Sequence, residues 1–323
     1  MATLAEIRAR IAEQETKSQQ KTKVGDNAIY PFWNIEEGKI ASLRFLPDGN
    51  PNNPFFWVER QIIKLPFNGV EGSSNFKQVI VQVPCVEMYG ENCPILAEVR
   101  PWYKDETLKD QADKYWKKRS YIFQGLVRQN PLKEEDTPEN PIRRFIISPS
   151  LFAMIKASLM DPEIEELPTD YLRGLDFNVK KTAKGGKDAY ADYSTSAWSR
   201  KEPALTEAER DAIERFGLSD LADFLPKKPS EAELRVIKEM FEASVDGRPY
   251  DPNKWGAYYK PYGVDLNITT PRSEEVKHSE PVAADDEPEA STAPFVVPTT
   301  TKAVENDKAK DILALIRARQ NKA

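Results

Sequence analysis

The side chains with the clearest chemical potential are aromatic and basic residues that lie close together along the chain. Arg44 closes one predicted strand, and Trp57 lies in the aromatic strand that follows it. An aromatic ring can stack on a nucleic-acid base while a neighbouring cation contacts phosphate. Three further groups have this composition: Tyr115, Lys117, Lys118, Arg119 and Tyr121; Arg143, Arg144 and Phe145; and Lys187, Tyr190 and Tyr193. Together they favour a single-stranded nucleic acid as the ligand.

Arg44 also has a purely structural interpretation. Apolar and polar residues alternate over 40–46, the strand breaks at Pro47, and a turn over 48–54 leads into the next strand. In a plain hairpin Phe45 and Trp57 would be core residues, and Arg44 would be a solvated charge at the edge. Composition alone favours the hairpin, whereas the aromatic and basic groups elsewhere favour a DNA contact.

The residues that other chemistries require are scarce. His278 is the only histidine, which excludes serine–histidine–aspartate and cysteine–histidine catalysis and any two-histidine metal site. Segment 184–187 contains two glycines but lacks the spacing of a phosphate-binding loop. A magnesium-dependent nuclease built on carboxylates remains an alternative, although no positive signal supports it. We therefore expect a protein without enzymatic activity and without a cofactor.

The charge of the chain is unevenly distributed. The net charge is -6, but 114–128 contains five basic residues and no acid, whereas acids gather in 274–289. A mean hydropathy of -0.62 and 25 prolines indicate that part of the 323 residues is unfolded. No run of 18 apolar residues predicts a membrane span, no signal peptide is evident, and two cysteines suit a reducing compartment. We expect a cytoplasmic protein with no membrane partner.

Short strands separated by turn clusters predict a mainly β core. The predicted strands are 40–46, 55–64, 77–83, 119–128, 142–148 and 174–181, with one helix from Pro149 to Leu159. This pattern is typical of a small barrel with insertions. The plan along the chain is a basic helical arm for self-association (1–30), the binding core (31–205), a helical and aromatic extension packed on it (206–267), a disordered acidic, proline-rich linker (268–306) and a basic amphipathic helix (307–323).

The extension has two clear helix starts and one ambiguous segment. Thr206 with Glu209, and Ser230 with Glu233, fit the capping box that opens a helix. The aromatic residues over 250–262 either pack on the core or line the path of a strand, and packing is the expectation.

Segments near the two ends of the chain share a seven-residue sequence motif. Leu-Ala-Glu-Ile-Arg-Ala-Arg at 4–10 and Leu-Ala-Leu-Ile-Arg-Ala-Arg at 313–319 differ at one position. Coincidence between two amphipathic helices explains this as well as a common docking groove does. In the arm, the residues that would mediate contact are Leu4, Ile7, Arg8 and Arg10.

Several blocks of the chain resemble the single-stranded DNA-binding protein of the T-even-like bacteriophages. They occur in the family's order over about residues 38–205. The blocks are Ala41 to Pro47, the Cys85 and Cys93-Pro94 segment, Lys118 to Tyr121 with its following strand, the Pro131 to Asn140 loop, and Ala153 to Ile155. Outside this range only the general plan of arm, core and acidic tail is similar.

The resemblance implies a fold, a function and partners. It implies an OB-fold barrel with an inserted subdomain and a basic, aromatic cleft that holds single-stranded DNA. It implies that the arm binds a neighbouring copy, so that the protein coats DNA cooperatively during viral replication, recombination and repair. The acidic tail would recruit phage replication and recombination proteins in the host cytoplasm.

The chain departs from this family in two places. The family binds zinc through one histidine and three cysteines, but Leu96 replaces the third cysteine and the core contains no histidine. Cys85 and Cys93 therefore resemble a degenerate zinc site, and we predict no metal and apolar packing around Phe67, Phe76 and Leu96 instead. The tail also ends in a basic segment that repeats the motif of the arm. We expect this segment to compete with a neighbour's arm for the groove that binds the arm, or to occupy that groove when DNA is absent.

Overall fold

The computed structural model describes residues 28–73, 77–134, 137–162, 164, 166–182, 192–201 and 203–261. Several predictions lie outside the described residues. They concern the arm with Leu4, Ile7, Arg8 and Arg10, the candidate contacts Lys187 and Tyr190, the acidic linker, and the terminal helix.

Seven strands form one antiparallel sheet in the described part of the chain. They are β1 (Ile40–Phe45), β2 (Val58–Phe67), β3 (Val79–Pro84), β4 (Lys118–Gln129), β5 (Arg143–Ile147), β6 (Asp176–Lys180) and β7 (Ala197–Trp198). Their order is β3-β2-β4-β1-β6-β7, and β5 pairs with β4. The helices are α1 (Pro94–Val99), α2 (Lys109–Tyr115), α3 (Pro149–Leu159), α4 (Glu207–Phe216), α5 (Glu231–Val245) and α6 (Pro252–Trp255). Short 3-10 helices cover Phe32–Asn34, Val86–Tyr89, Arg100–Lys104, Glu106–Leu108 and Leu221–Phe224.

The prediction of a mainly β core with peripheral helices is confirmed. Each of the six predicted strands overlaps an observed one, and α3 has the predicted bounds. Helix α3 begins where expected because Ser148 accepts a hydrogen bond from the Leu151 amide and Pro149 occupies the first turn. Among the described strands, β3 and β7 end the path without pairing to each other. The sheet is therefore open, and a closed barrel is not shown.

Strand β4 organises the sheet because three strands pair with it. β2 pairs with its first part, at Lys118 to Ile122, and β1 with its last part, at Gly125 to Gln129. β5 pairs with the opposite edge, so that Gly125 faces a neighbour on both sides. A Cβ atom on Gly125 would lie 2.1 Å from the carbonyl oxygen of Arg44. Glycine is therefore required for the close approach of β1 and β4.

We expect the Gly125→Ala substitution to lower the free energy of unfolding by about 1–3 kcal/mol, because β1 must move away from β4. Urea denaturation measures this change. Gln129→Ala is the matched control, since Gln129 is an exposed residue of the same strand, and its effect should stay within about 0.5 kcal/mol. Equal midpoints for the two variants would contradict the close approach.

The buried residues form two large clusters. The first, the sheet core, lies between α3 and one face of the sheet and is rich in phenylalanine: Phe45, Phe123, Phe145 and Phe177, with Leu151 and Ile155 from α3. The second, the insert core, joins β2 and β3 to the helices between β3 and β4 and to α5. Phe67 and Leu96 are both buried in it, as predicted, whereas Phe76 lies outside the described residues.

The extension packs on the insert core through α5, and α4 packs on a smaller cluster formed by Leu46, Leu126, Ile142 and Leu205. The capping boxes at Thr206 and Ser230 are confirmed, and α4 and α5 begin directly after them. Tyr250 and Trp255 are buried in the insert core, as expected for a packed aromatic segment. None of the helices in the described ranges is long and apolar enough to span a bilayer.

Candidate nucleic-acid interface

Arg44 is completely buried, with 0% of its surface exposed. Its Nη1 lies 3.3 Å from Asp176 Oδ1, and its Nη2 donates a hydrogen bond to the carbonyl oxygen of Pro203. The prediction that Arg44 contacts DNA is therefore wrong for this conformation, and so is the alternative of a solvated edge charge. Its guanidinium is enclosed because β6 and the segment before α4 cover it.

Arg44 belongs to a buried ion network that crosses the sheet. Arg128 Nη1 lies 3.2 Å from Asp176 Oδ1, and its Nη2 lies 2.8 Å from Glu209 Oε2. Burial lowers the pKa of Arg44 and raises the pKa of Asp176, because desolvation disfavours both charged forms. Arg44 Nε has no hydrogen-bond partner among the described residues. The network joins β1, β4 and β6 to α4, and its role is structural.

Five other predicted contacts are also buried: Tyr121, which is 7% exposed and stacks on Phe152, and four residues that hold the fold together. The Tyr115 hydroxyl lies 3.1 Å from Ser244 Oγ in the insert core, because α5 packs over it. Phe145 is enclosed in the sheet core, and Tyr193 packs edge-on against Phe32. Arg143 lies 2.7 Å from Glu134 and donates to a backbone carbonyl. The prediction that these four residues line a cleft is wrong in this conformation.

Three predicted cations are partly covered by the protein itself. The guanidinium carbon of Arg144 lies 4.0 Å from the centre of the Phe224 ring. Lys117 Nζ lies 2.8 Å from Glu87 Oε2. Partial burial opposes ionisation of Glu87, but hydrogen bonds from Lys117 and Arg100 lower the pKa of its carboxyl. Lys118 is half-buried.

Four aromatic rings form a continuous column that leads from the sheet to the surface, and we call it the aromatic column. The ring of Tyr121 stacks on Phe152, with 3.5 Å between centroids and 14° between planes. Phe152 meets Trp57 edge-on at 5.3 Å, and Trp57 lies 4.8 Å from Phe55. Phe55 is 53% exposed and forms the outer end of the column.

The turn before β2 positions the outer half of the column. The Asn53 side chain donates to Asp48 Oδ2 at 2.6 Å and to the carbonyl oxygen of Trp57 at 3.2 Å. The Phe55 amide donates to Asn53 Oδ1 at 3.1 Å. Asp48 also accepts a hydrogen bond from the Leu221 amide at 3.0 Å. The rings of Phe55 and Trp57 are therefore fixed by a hydrogen-bonded turn, and this arrangement suits a stacking platform.

Two cations flank the aromatic column. Arg119 lies two residues before Tyr121 in β4, so both side chains project from the same face, about 7 Å apart along the strand. Lys156 follows Phe152 by one turn of α3 and lies on the same side of that helix. Within the described ranges neither cation has a carboxylate partner. A column with an exposed ring at one end and two such cations along its other rings can stack a base and contact phosphate.

The structure thus brings together three of the predicted site residues, Trp57, Tyr121 and Arg119, and adds Phe55, Phe152 and Lys156. Phe55 lay within the predicted aromatic strand, and its neighbour Pro54 was a signal that the ring belongs to a turn. Phe152 follows Leu151, a residue of the apolar face of α3. Its position beside that face was the signal in the sequence, and the structure shows its side chain half-exposed.

The segment that contains Lys187 and Tyr190 lies in sequence between Thr182 and Asp192. The backbones of Thr182 and Asp192 form a hydrogen bond of 2.8 Å.

Cys85 and Cys93 are buried and do not form a disulfide. A hydrogen bond between the thiols lowers the pKa of Cys93 and raises the pKa of Cys85, and backbone amides of Leu96 and Ile95 further favour the thiolate of Cys93. The described residues contain no group of three histidine, cysteine or acidic side chains that could hold a metal. Two thiols do not supply the four ligands of a structural zinc site, so these residues do not fit that metal.

Comparisons with known proteins add no functional assignment. No protein-family model matches the chain, and no curated protein matches it either.

Proposed function

We propose that this protein binds single-stranded DNA along the aromatic column, cooperatively and without base preference, and that it performs no catalysis. The observation that carries the proposal is the exposed ring of Phe55 at the outer end of an aromatic column whose inner rings, Phe152 and Tyr121, neighbour Lys156 and Arg119, two cations without a carboxylate partner among the described residues. Stacking contributes about 1–3 kcal/mol per base and tolerates every base, because each has a π face.

We also propose the finer features that the resemblance implies. The fold would be an OB-fold barrel with an inserted subdomain, and the succession of β2 and β1 along one edge of β4 supports the strand curvature that a barrel needs. Neighbouring copies would associate through the N-terminal arm on viral DNA during replication, recombination and repair. The acidic linker would contact phage replication and recombination proteins in the host cytoplasm.

Titration of the full chain with oligo-dT tests the proposal, with tryptophan fluorescence as the readout. Six tryptophans are present, and Trp57 lies within the proposed site. We expect quenching and an affinity that falls with salt, because each contacted phosphate adds about 0.7 to the slope of log affinity against log salt.

The Arg119→Ala variant should reduce that slope by about 0.7, since it removes one phosphate contact. Arg235→Ala is the matched control, because Arg235 is an exposed arginine on α5, away from the column, and it should leave the slope unchanged. Equal slopes for both variants would remove Arg119 from the interface.

The alternatives predict different results in the same titration. A scaffold protein that does not bind nucleic acid would give no quenching at any salt concentration. A carboxylate-dependent nuclease would shorten labelled oligo-dT when Mg²⁺ is added, whereas a coating protein leaves the strand intact.

A further inference from the structure

The loop formed by residues 166–172 exposes two leucines on a well-ordered backbone. Leu167 is 66% exposed and Leu172 is 64% exposed. The Asp170 amide donates to the Leu167 carbonyl oxygen at 2.9 Å, and Asp170 Oδ1 accepts from the Leu172 amide at 2.8 Å. These hydrogen bonds fix the backbone of the loop that carries both leucines. Two large exposed apolar side chains on one short loop are a candidate docking surface.

The surroundings of this loop are acidic. Glu166 and Asp170 are exposed, and the exposed Arg173 is paired with Glu166 at 2.9 Å. The Leu205 amide donates to the Tyr171 carbonyl oxygen at 2.8 Å, which joins the loop to the start of α4. That helix adds exposed Glu207 and Asp211 and one exposed cation, Arg210, so acids outnumber bases among these residues. The surface combines apolar contacts with negative charge, and its complement is a basic amphipathic segment.

The chain itself carries such a segment at its C-terminus. Residues 313–319 include apolar Leu313, Leu315 and Ile316 and basic Arg317 and Arg319. The described chain ends at Pro261, so about 50 residues connect it to this segment. A random-coil chain of about 50 residues spans roughly 40 Å on average. Tethering at this range raises the local concentration of the segment, which favours docking within one molecule.

We propose that residues 313–319 dock on the 166–172 loop of the same chain, with the apolar side chains against Leu167 and Leu172 and the arginines against the acidic rim. This inference does not depend on DNA binding. Docking would join residues 313–319 to the folded part of the same chain.

Photo-crosslinking of the full chain tests the docking. The photoreactive residue p-benzoylphenylalanine replaces Ile316, and mass spectrometry maps the products after irradiation and proteolysis. We expect crosslinks to residues 166–172. Mixing isotope-labelled and unlabelled protein distinguishes intramolecular from intermolecular products. The same probe in place of Thr300, in the linker, is the matched control and should give little product at the loop.

Two sets of variants make the test independent of the probe. Leu167→Ser with Leu172→Ser removes the apolar contact, and Arg317→Glu with Arg319→Glu reverses the charge of the segment. Each should reduce the yield at least about five-fold, whereas Arg317→Lys with Arg319→Lys should retain most of it, because the attraction is largely electrostatic. Circular dichroism verifies that the variants are folded. Crosslinks chiefly to other residues, crosslinks between chains, or yields unaffected by the variants would overturn the proposal.

Discussion

Replacing Arg44 by methionine is expected to lower the free energy of unfolding by about 3–5 kcal/mol, the usual cost of breaking a buried ion pair from one side. Methionine fills much of the same volume, so the loss arises mainly from charge and hydrogen bonding. Asp176 loses one of its two cations, and the Pro203 carbonyl oxygen loses its donor. Arg44 is wholly enclosed, so water cannot replace these contacts.

Urea denaturation measures the loss, and Arg100→Met provides the control. Arg100 pairs with Glu87, but its side chain is half exposed, so its removal should cost no more than about 1 kcal/mol. The Arg44→Met variant also tests the rejected DNA contact. At a temperature where it remains folded, the salt dependence of its binding to oligo-dT should equal that of the parent. A slope reduced by about 0.7 without loss of stability would restore Arg44 as a phosphate contact.

Replacing Phe55 by alanine is expected to weaken oligo-dT binding by about 1–3 kcal/mol, or roughly 5- to 150-fold, because it removes the outermost stacking ring. The stability of the fold should change by less than about 0.5 kcal/mol, since more than half of the side chain is already exposed. The variant therefore separates binding from folding, which substitution of a buried ring cannot do.

Tyr258→Ala is the matched control for Phe55, because Tyr258 is another exposed ring, at 37%, far along the chain in the extension. Its loss should leave the affinity unchanged. Phe55→Trp should retain or strengthen binding, because the larger ring still stacks. If Phe55→Ala binds as tightly as the parent, the DNA does not contact the aromatic column.

The sequence was sufficient for the strands and for α3, because alternation and helix capping are local properties. It did not predict that Arg44 is buried. Its partner Asp176 is 132 residues away in sequence, and Pro203 is 159 residues away. No local pattern indicates that these segments close over one guanidinium, so a buried arginine and a DNA-binding arginine look alike before folding.

For the candidate site, too, the sequence predicted local spacing but not burial by distant segments. Arg119 and Tyr121 share one face of β4, and their spacing of two was visible in the sequence. Tyr115 has the same kind of neighbours, but α5, more than a hundred residues later, covers it through Ser244. Packing by distant segments therefore decides how much of each ring reaches solvent, from 53% for Phe55 to 7% for Tyr121 and 1% for Tyr115, and composition alone could not indicate this.

The contacts of the turn over 48–54 determine where a shortened fragment of the chain can end. It is held by the segment between α4 and the Leu221–Phe224 helix: Gly49 donates to the Ser219 carbonyl oxygen at 2.9 Å, and Asn50 donates to Asp220 Oδ2 at 3.1 Å. A fragment that ends at residue 205 would retain all seven described strands, but this turn would lose its hydrogen bonds to Ser219 and Asp220. A fragment that keeps the stacking platform intact therefore has to extend beyond the sheet, at least through α4 to Leu221.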